Sequence, residues 1–126
     1  MARVQLDERE IRAVEKVLRS GHLRAGRVVE DFEARFARAV GARFAIAVNS
    51  GTAALHLAYQ AFLKPGEEII VPDFTFVATA SMALAAGARP VFADVDPFTC
   101  TLDPADVERR ITRRTRALAA VHLYGH

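Results

Sequence analysis

Apolar residues recur along this chain at two different spacings. In the first third they recur every three or four positions, at Ile11, Val14 and Leu18 and then at Val29, Phe32, Phe36 and Val40. This period is typical of amphipathic helices. From residue 44 onward, short continuous apolar runs alternate with helical patterns, and such runs are typical of buried strands. The pattern predicts an N-terminal helical segment over residues 1–43 and an alternating β/α region over residues 44–126.

Local signals mark where individual helices begin and end. Asp7 and Glu10 have the spacing of a capping box, which predicts a helix start, and Gly21 predicts the end of that helix. Asp103 followed by Pro104 is a second start signal, because proline is favoured at the first helical position. Both signals depend only on neighbouring residues.

Four apolar runs predict strands, at residues 44–48, 68–72, 90–95 and 117–123. Because helical patterns separate these runs, the sequence predicts an α/β fold, with a mainly parallel sheet and helices on both faces. Ligands in such sheets bind at the carboxyl ends of the strands. Three loops meet that condition: residues 49–53, 72–76 and 94–98.

The last predicted strand is followed only by Tyr124-Gly125-His126. A sheet of this kind normally continues into a further helix that covers the strand. Without that helix, an open sheet edge and an uncovered apolar face are expected. We therefore expect residues 1–126 to be a truncated part of one larger domain.

The stretch Asn49-Ser50-Gly51-Thr52-Ala53-Ala54 lies between the first predicted strand and a helix. The first turn of a helix has free N–H groups and a positive dipole end, which suit a phosphate or carboxylate. Gly51 lets the backbone approach a ligand, Thr52 adds a hydroxyl group, and Ala53 adds an N–H without bulk. The alternative is an ordinary turn in which Asn49 or Ser50 caps the helix. Neither a P-loop nor a Gly-x-Gly-x-x-Gly motif is present.

Composition and charge narrow the class of protein. The chain has 126 residues, of which 52% are hydrophobic and 25% charged, so a domain with a buried core is expected. The net charge of +2 does not favour nucleic acid, and we interpret the arginines within residues 109–116 as a solvated helix end. Cys100 is a lone cysteine, and no apolar run is long enough to span a membrane. We expect a cytoplasmic protein with no nucleic-acid or membrane partner.

The four histidines give no sign of a metal site. Their positions do not have the spacing of metal ligands, so no metal site is predicted. His56 lies inside an apolar helical pattern, and we interpret it as a packing residue with satisfied hydrogen bonds.

A set of short segments is specific when taken together and in order. It comprises Gly26, Phe32-Glu33, Phe36-Ala37, Gly41 and residues 48–58, 65–72, 75–80, 87–88, 90–92, 94–97 and 121–125. Over nearly its whole length the chain thereby resembles the DegT/DnrJ/StrS-type family. Members of that family are fold type I enzymes that depend on pyridoxal phosphate, and most are aminotransferases acting on nucleotide-linked keto sugars.

The resemblance implies a cofactor site and its residues. It places Gly51, Thr52 and Ala53 in the phosphate cradle of pyridoxal phosphate. It places Phe76 on the pyridine ring, where an aromatic side chain stacks well; a plain core phenylalanine is the alternative. Residues 22–26 match a segment that lies near the sugar substrate. The resemblance also implies a nucleotide-linked keto sugar and an amino donor as partners, and a homo-oligomer, because relatives assemble as dimers.

Two groups that transamination requires have no match in this chain. Pyridoxal phosphate chemistry needs a lysine at the cofactor and an acid beside the pyridine nitrogen. The family positions for both correspond to sequence beyond residue 126, and Lys16 and Lys64 match neither. We interpret Asp94 and Asp96 as turn-forming residues. We therefore expect no catalytic residue and no transamination from this chain alone.

Two hypotheses about function remain open at this point. In the first, the chain is part of a pyridoxal-phosphate-dependent sugar aminotransferase. In the second, it is a non-catalytic remnant that serves as an anion-binding or self-associating module. The cofactor-side segments favour the first and the unmatched lysine favours the second. The sequence leaves open the sugar, the nucleotide, the aminated carbon and the choice between aminotransferase and dehydratase-like chemistry.

Overall fold

The computed structural model describes residues 4–126, which divide into two compact units with the boundary between Ala47 and Val48. The first unit contains helix α1 (Glu8–Ser20) and helix α2 (Arg27–Ala39). The predicted capping box is confirmed. The side chain of Asp7 accepts a hydrogen bond from the backbone N–H of Glu10, and the side chain of Glu10 accepts one from the backbone N–H of Asp7. Gly21 ends α1 in the left-handed conformation, with φ of 70°.

The apolar stripes of both helices are largely exposed. No residue of α1 is buried, and its stripe residues are at least half exposed. On α2 the rings of Phe32 and Phe36 are 5.8 Å apart, yet both are about half exposed, and Ala37 is the residue that is buried. The hydrophobic period therefore predicts these helices correctly without predicting what covers them.

The predicted strand at residues 44–48 is wrong. These residues form no regular strand, and the side chains of Phe44 and Ile46 are 75% and 81% exposed. The N–H of Ala47 donates instead to Oε1 of Glu33 on α2, at 2.7 Å. A strand exists only where a second strand pairs with it, and no other described residues provide that pairing.

The second unit holds a three-stranded parallel sheet. Its elements are α3 (Gly51–Phe62), β1 (Glu68–Pro72), α4 (Ala78–Ala85), β2 (Arg89–Ala93), α5 (Pro104–Arg110), β3 (Thr115–Leu118) and a 3₁₀ turn (Leu123–Gly125). The strand order is β2-β1-β3. The prediction of an α/β fold with a parallel sheet is confirmed.

The central strand β1 positions the rest of this unit. The connections β1-α4-β2 and β2-α5-β3 run in opposite directions across the sheet, so right-handed crossovers put α4 and α5 on opposite faces. All five residues of β1 are buried. Two of them, Ile69 and Val71, form a core cluster together with Tyr59, Leu63, Ala83 and Ala88.

Two strand boundaries differ from the predictions. β2 stops at Ala93 rather than at residue 95, because Val95 instead pairs antiparallel with Leu102 in the following turn. β3 covers residues 115–118 rather than 117–123. Its pairing with β1 stops after the bond from the Ala119 N–H to the Ile70 carbonyl, at 2.9 Å. The next bond would come from the N–H of Pro72, which proline lacks.

Among residues 4–126, no helix is both long and apolar enough to cross a membrane.

Candidate functional site

The first turn of α3 carries the predicted cradle residues. Ser50 is the N-cap, and its Oγ accepts a hydrogen bond from the Ala53 N–H at 3.1 Å. Within the described residues, nothing accepts a hydrogen bond from the N–H of Gly51 or Thr52. The helix has 12 residues, so a positive dipole end accompanies these free donors. The cap therefore leaves two N–H groups of this helix end without an acceptor among the described residues.

Neither the backbone conformation at position 51 nor contact with neighbouring residues requires a glycine there. Gly51 is the first residue of a helix, where any residue fits, and its φ is not in the left-handed region. A Cβ added at this position would meet no heavy atom within 4 Å. The space that a side chain at position 51 would occupy is therefore open, next to the two N–H groups that have no acceptor among the described residues.

Phe76 lies in the loop that follows the carboxyl end of β1. Phe76 is 73% exposed, so the residues of this chain do not bury it as a core phenylalanine. The loop is anchored where it begins, by the bond from the Asp73 N–H to the Ala93 carbonyl at 3.0 Å. The ring is therefore available at the sheet edge where ligands of parallel sheets bind.

A buried polar network lies behind this loop, and sequence reasoning missed it. The hydroxyl groups of Thr75 and Thr79 are 2.9 Å apart, and the hydroxyl of Tyr59 donates to the Thr79 carbonyl at 3.1 Å. Tyr59 and Thr79 are 8% and 6% exposed. The available signal was a tyrosine within an apolar helix and a threonine within a helix of small residues, since a buried hydroxyl needs a partner.

Asp94 and Asp96 form turns, as predicted. Oδ1 of Asp94 accepts from the N–H of Val95, and Oδ1 of Asp96 accepts from the N–H groups of Phe98 and Thr99. These backbone hydrogen bonds, that of Thr99 first, hold the pKa of Asp96 below its ordinary value. Both carboxylates are thus engaged in local turns.

Two buried carboxylates form ion pairs with most of the arginines within residues 109–116. Glu68 accepts from the Thr112 hydroxyl and pairs with Arg114 at 2.9 Å. The Thr112 hydrogen bond, followed by the charge of Arg114, holds its pKa below the ordinary value despite burial. Arg109 and Arg110 both pair with Asp106. The pKa of Asp106 is lowered first by the Asp94 N–H and then by these arginines.

The basic cluster is therefore mainly part of the fold. Arg116 also has an acidic partner, Glu67, at 3.2 Å. Of the five arginines within residues 109–116, four thus form ion pairs with carboxylates of this chain. This supports the interpretation of a solvated structural surface over that of a nucleic-acid patch.

The remaining candidate residues are dispersed. Residues 22–26 line a groove of about 750 Å³ between the end of α1 and the start of α2.

The prediction that the hydrogen bonds of His56 are satisfied is wrong, because its buried Nε2 has no hydrogen-bond partner among the described residues. Its neighbours in sequence, Leu55 and Leu57, have no polar side-chain atoms. Within residues 4–126, no group of His, Cys, Asp and Glu could hold a metal ion.

Comparison with known sequences decides the family. The sequence model of the DegT/DnrJ/EryC1/StrS aminotransferase family matches residues 4–126. The chain belongs to this family. The resemblance read from the short segments is thereby confirmed.

Individual family members are similar to the chain over most of its length. Spore coat polysaccharide biosynthesis protein SpsC of Bacillus subtilis (strain 168) is 46% identical over 121 residues, which cover 95% of this chain and 31% of that protein. GDP-perosamine synthase of Caulobacter vibrioides is 50% identical over 101 residues, which cover 79% of this chain and 27% of that protein.

A solved structure shows the same fold. The structure of E. coli GDP-4-keto-6-deoxy-D-mannose-3-dehydratase, with bound hydrated pyridoxal phosphate, matches with a TM-score of 0.88 and 31% identity. The match covers 94% of this chain and 32% of that chain. The expected fold type I architecture is confirmed. The chain spans about a third of the length of the family members that it matches.

Proposed function

We propose that this chain forms the cofactor-side part of a pyridoxal phosphate site in an enzyme that acts on a nucleotide-linked keto sugar. The N–H groups of Gly51, Thr52 and Ala53 hold the phosphate, and Phe76 stacks on the ring. Bound pyridoxal phosphate supplies an electron sink for chemistry next to an amine. One observation carries the proposal: open space and free N–H groups at Gly51, in a member of this family.

The three cradle residues contribute unequally. The Gly51 and Thr52 N–H groups have no acceptor among the described residues, so a phosphate there replaces no protein hydrogen bond. The Ala53 N–H already donates to Ser50, and a phosphate oxygen would share it. The first two N–H groups and the Thr52 hydroxyl therefore provide most of the binding.

Equilibrium dialysis with pyridoxamine phosphate tests the cradle. This form of the cofactor carries the phosphate and the ring but no aldehyde, so it does not react with the exposed Lys16 and Lys64. We expect saturable binding by the unaltered chain, and much weaker binding of pyridoxamine, which lacks the phosphate. Equal affinity for the two compounds, or no saturable binding, would contradict the proposal.

Two pairs of variants locate the binding site. Gly51→Val should weaken binding about tenfold or more, because its side chain enters the open space, while stability changes by less than about 0.5 kcal/mol. Ala54→Val, an exposed position on the same helix, is the control and should leave binding unchanged. Phe76→Ala should weaken binding about threefold to tenfold through lost stacking. Phe98→Ala removes a 92% exposed ring elsewhere and should have no effect.

We propose the substrates of the whole protein from the same family membership. GDP-perosamine synthase is named for a nucleotide-linked amino sugar, which supports a nucleotide-linked keto sugar and an amino donor for this protein. The groove at residues 22–26 is the proposed place for the sugar in the first unit. We assign residues 1–126 to one partial large domain, and we propose a cytoplasmic homo-oligomer.

We further propose that this chain does not transaminate alone. Its two lysines are exposed, Lys16 on α1 and Lys64 in the turn before β1. Incubation with pyridoxal phosphate, glutamate and a panel of nucleotide keto sugars should yield no amino sugar. Product formation that co-purifies with the chain would contradict this. If the chain binds the cofactor without turnover, the alternative of a non-catalytic anion-binding module applies to it as it stands.

A further inference from the structure

The loop that carries Phe76 has little packing of its own. Phe74, Phe76 and Val77 are 50%, 73% and 68% exposed, so apolar burial does not fix the position of the ring. The backbone is held where the loop begins, by the Asp73 N–H, and where it ends, by the bond from the Thr79 N–H to the Phe76 carbonyl at 3.0 Å. Something else must hold the middle of the loop if the ring is to be presented in one orientation.

Thr79 supplies this attachment through two further bonds. Its hydroxyl is 2.9 Å from the hydroxyl of Thr75, the residue directly before Phe76. Its carbonyl accepts from the Tyr59 hydroxyl at 3.1 Å. A buried hydroxyl without a partner is costly, so in a residue that is 6% exposed the pairing with Thr75 is strongly favoured.

Tyr59 connects this loop to the helix of the cradle. It belongs to α3, whose first turn contains Gly51, and its ring packs in the core cluster against α4 and β1. Burial raises the pKa of Tyr59, so its hydroxyl stays protonated and remains a donor at neutral pH. A continuous path of bonds therefore runs from the loop through Thr75, Thr79 and Tyr59 to α3.

We propose that Thr79 is a positioning residue for the cofactor, holding the ring of Phe76 in place relative to the phosphate-binding turn of α3. This inference rests on the proposed function and goes beyond it, because Thr79 is hydrogen-bonded to Phe76 only at its backbone and has no described hydrogen bond to the cradle residues. The path of bonds orients the loop before the cofactor arrives. A preordered loop binds more tightly because binding then does not have to restrict its motion.

The test separates ring binding from phosphate binding. Affinities for pyridoxamine phosphate and for inorganic phosphate are measured by dialysis for the unaltered chain and for Thr79→Val, which keeps the side-chain shape and removes the hydroxyl. Pyridoxamine phosphate should bind Thr79→Val about fivefold more weakly, the equivalent of one net hydrogen bond. Inorganic phosphate should bind within twofold of the unaltered chain, because α3 itself is unchanged.

Matched variants show whether the bond is responsible. Thr79→Ser keeps the hydroxyl and should restore affinity, while Tyr59→Phe, which loses the link to α3, should weaken it as Thr79→Val does. Combining Thr75→Val with Thr79→Val should add nothing, since both remove the same bond. Thr101→Val breaks a hydroxyl pair of equal length, 2.9 Å to Thr99, in another loop and should change nothing.

Hydrogen exchange provides a readout without any ligand. Amides of residues 74–77 should exchange faster in Thr79→Val than in the unaltered chain, with the amides of β1 unchanged. If Thr79→Val leaves both the exchange and the pyridoxamine phosphate affinity unaltered, the positioning role is overturned and the proposed function stands. If phosphate affinity falls equally, Thr79 is only structural. If the unaltered chain binds no pyridoxamine phosphate, the proposed function fails and this role fails with it.

Discussion

At the scale of single residues, the unusual feature is the burial of two carboxylates, one at the start of the central strand and one on a helix. Glu68 begins β1 and is 2% exposed, and Asp106 lies on α5 and is 5% exposed. Each is tolerated because it accepts several hydrogen bonds and faces at least two arginines. The contact between Glu68 and Arg114 joins segments that are more than forty residues apart in the sequence.

The pH dependence of stability should report on Glu68. Its pKa is lowered in the folded state, so it contributes stability that is fully present above the ordinary glutamate pKa and is lost as the pH falls through the lowered value. Glu68→Gln should therefore reduce the slope of unfolding free energy against pH in the acid range by up to about one proton. Urea denaturation between pH 7 and pH 3 measures this.

The control for this prediction is an acid that forms no salt bridge among the described residues. Glu108 is exposed on α5, and Glu108→Gln should leave the stability at pH 7 unchanged. An identical slope for the unaltered chain and Glu68→Gln would show that the buried carboxylate does not titrate with unfolding.

Two isoleucines test where the core lies. Ile70 is fully buried in β1, whereas Ile46 is 81% exposed in the segment predicted to be a strand. Ile70→Ala should lower the free energy of unfolding by about 2–5 kcal/mol, because it leaves a cavity. Ile46→Ala should change it by less than about 0.5 kcal/mol. Chemical denaturation gives both values. An equal loss of unfolding free energy at the two positions would support the predicted strand at residues 44–48 instead.

At the scale of elements, the first turn of α3 has one capped N–H group and two uncapped ones. Ser50 caps the helix through the Ala53 N–H, and among the described residues the two preceding N–H groups have no acceptor. This arrangement is compatible with both interpretations of the turn, the ordinary cap and the proposed anion-binding end. Stability and ligand binding at this helix end should respond to different substitutions.

Substitutions of Ser50 separate the two roles. Ser50→Ala removes the cap and should lower the free energy of unfolding by about 0.5–2 kcal/mol. Ser50→Asp keeps an acceptor and should retain the stability, but its negative charge should abolish the binding of inorganic phosphate and pyridoxamine phosphate. Thermal melts and dialysis on the same samples measure both effects. Undiminished phosphate binding by Ser50→Asp would place the anion elsewhere.

At the scale of the whole molecule, much apolar surface is uncovered. The most exposed large side chains, all more than 70% exposed, are Val4, Phe44, Ile46, Phe62, Phe76, Phe98 and Tyr124. Exposed apolar groups on this scale mark surfaces that associate. The chain also spans only about a third of the length of its family members, so surfaces buried in those proteins need not be buried here.

We therefore expect the chain to self-associate. Light scattering at micromolar concentration should give a mass of at least twice that of one chain, 13.8 kDa. Because the exposed groups are apolar, added salt should not dissociate the assembly. A mass of one chain across the concentration range would contradict the proposed homo-oligomer.

Features that depend on near neighbours in the sequence could be predicted. The capping box at Asp7, the helix end at Gly21 and the Asp103-Pro104 start are all confirmed, because each is decided within one turn of chain. The parallel α/β architecture followed from the alternation of periods. The ligand role of Gly51 was predicted in the same way, from its place at a helix start, and it stays a prediction.

Features that depend on distant partners were decided only by the tertiary structure. The apolar run at residues 44–48 has the composition of a strand, but pairing requires another strand, and none of the described residues pairs with it. β3 ends where Pro72 of β1 has no N–H to donate, and Tyr59 meets Thr79 only because α3 packs on α4. A hydrogen bond between remote residues leaves no periodic trace in either segment. The sequence by itself therefore determined the helices and the helix ends that local caps mark, whereas the packing determined which apolar runs pair as strands, where those strands stop and which polar groups meet.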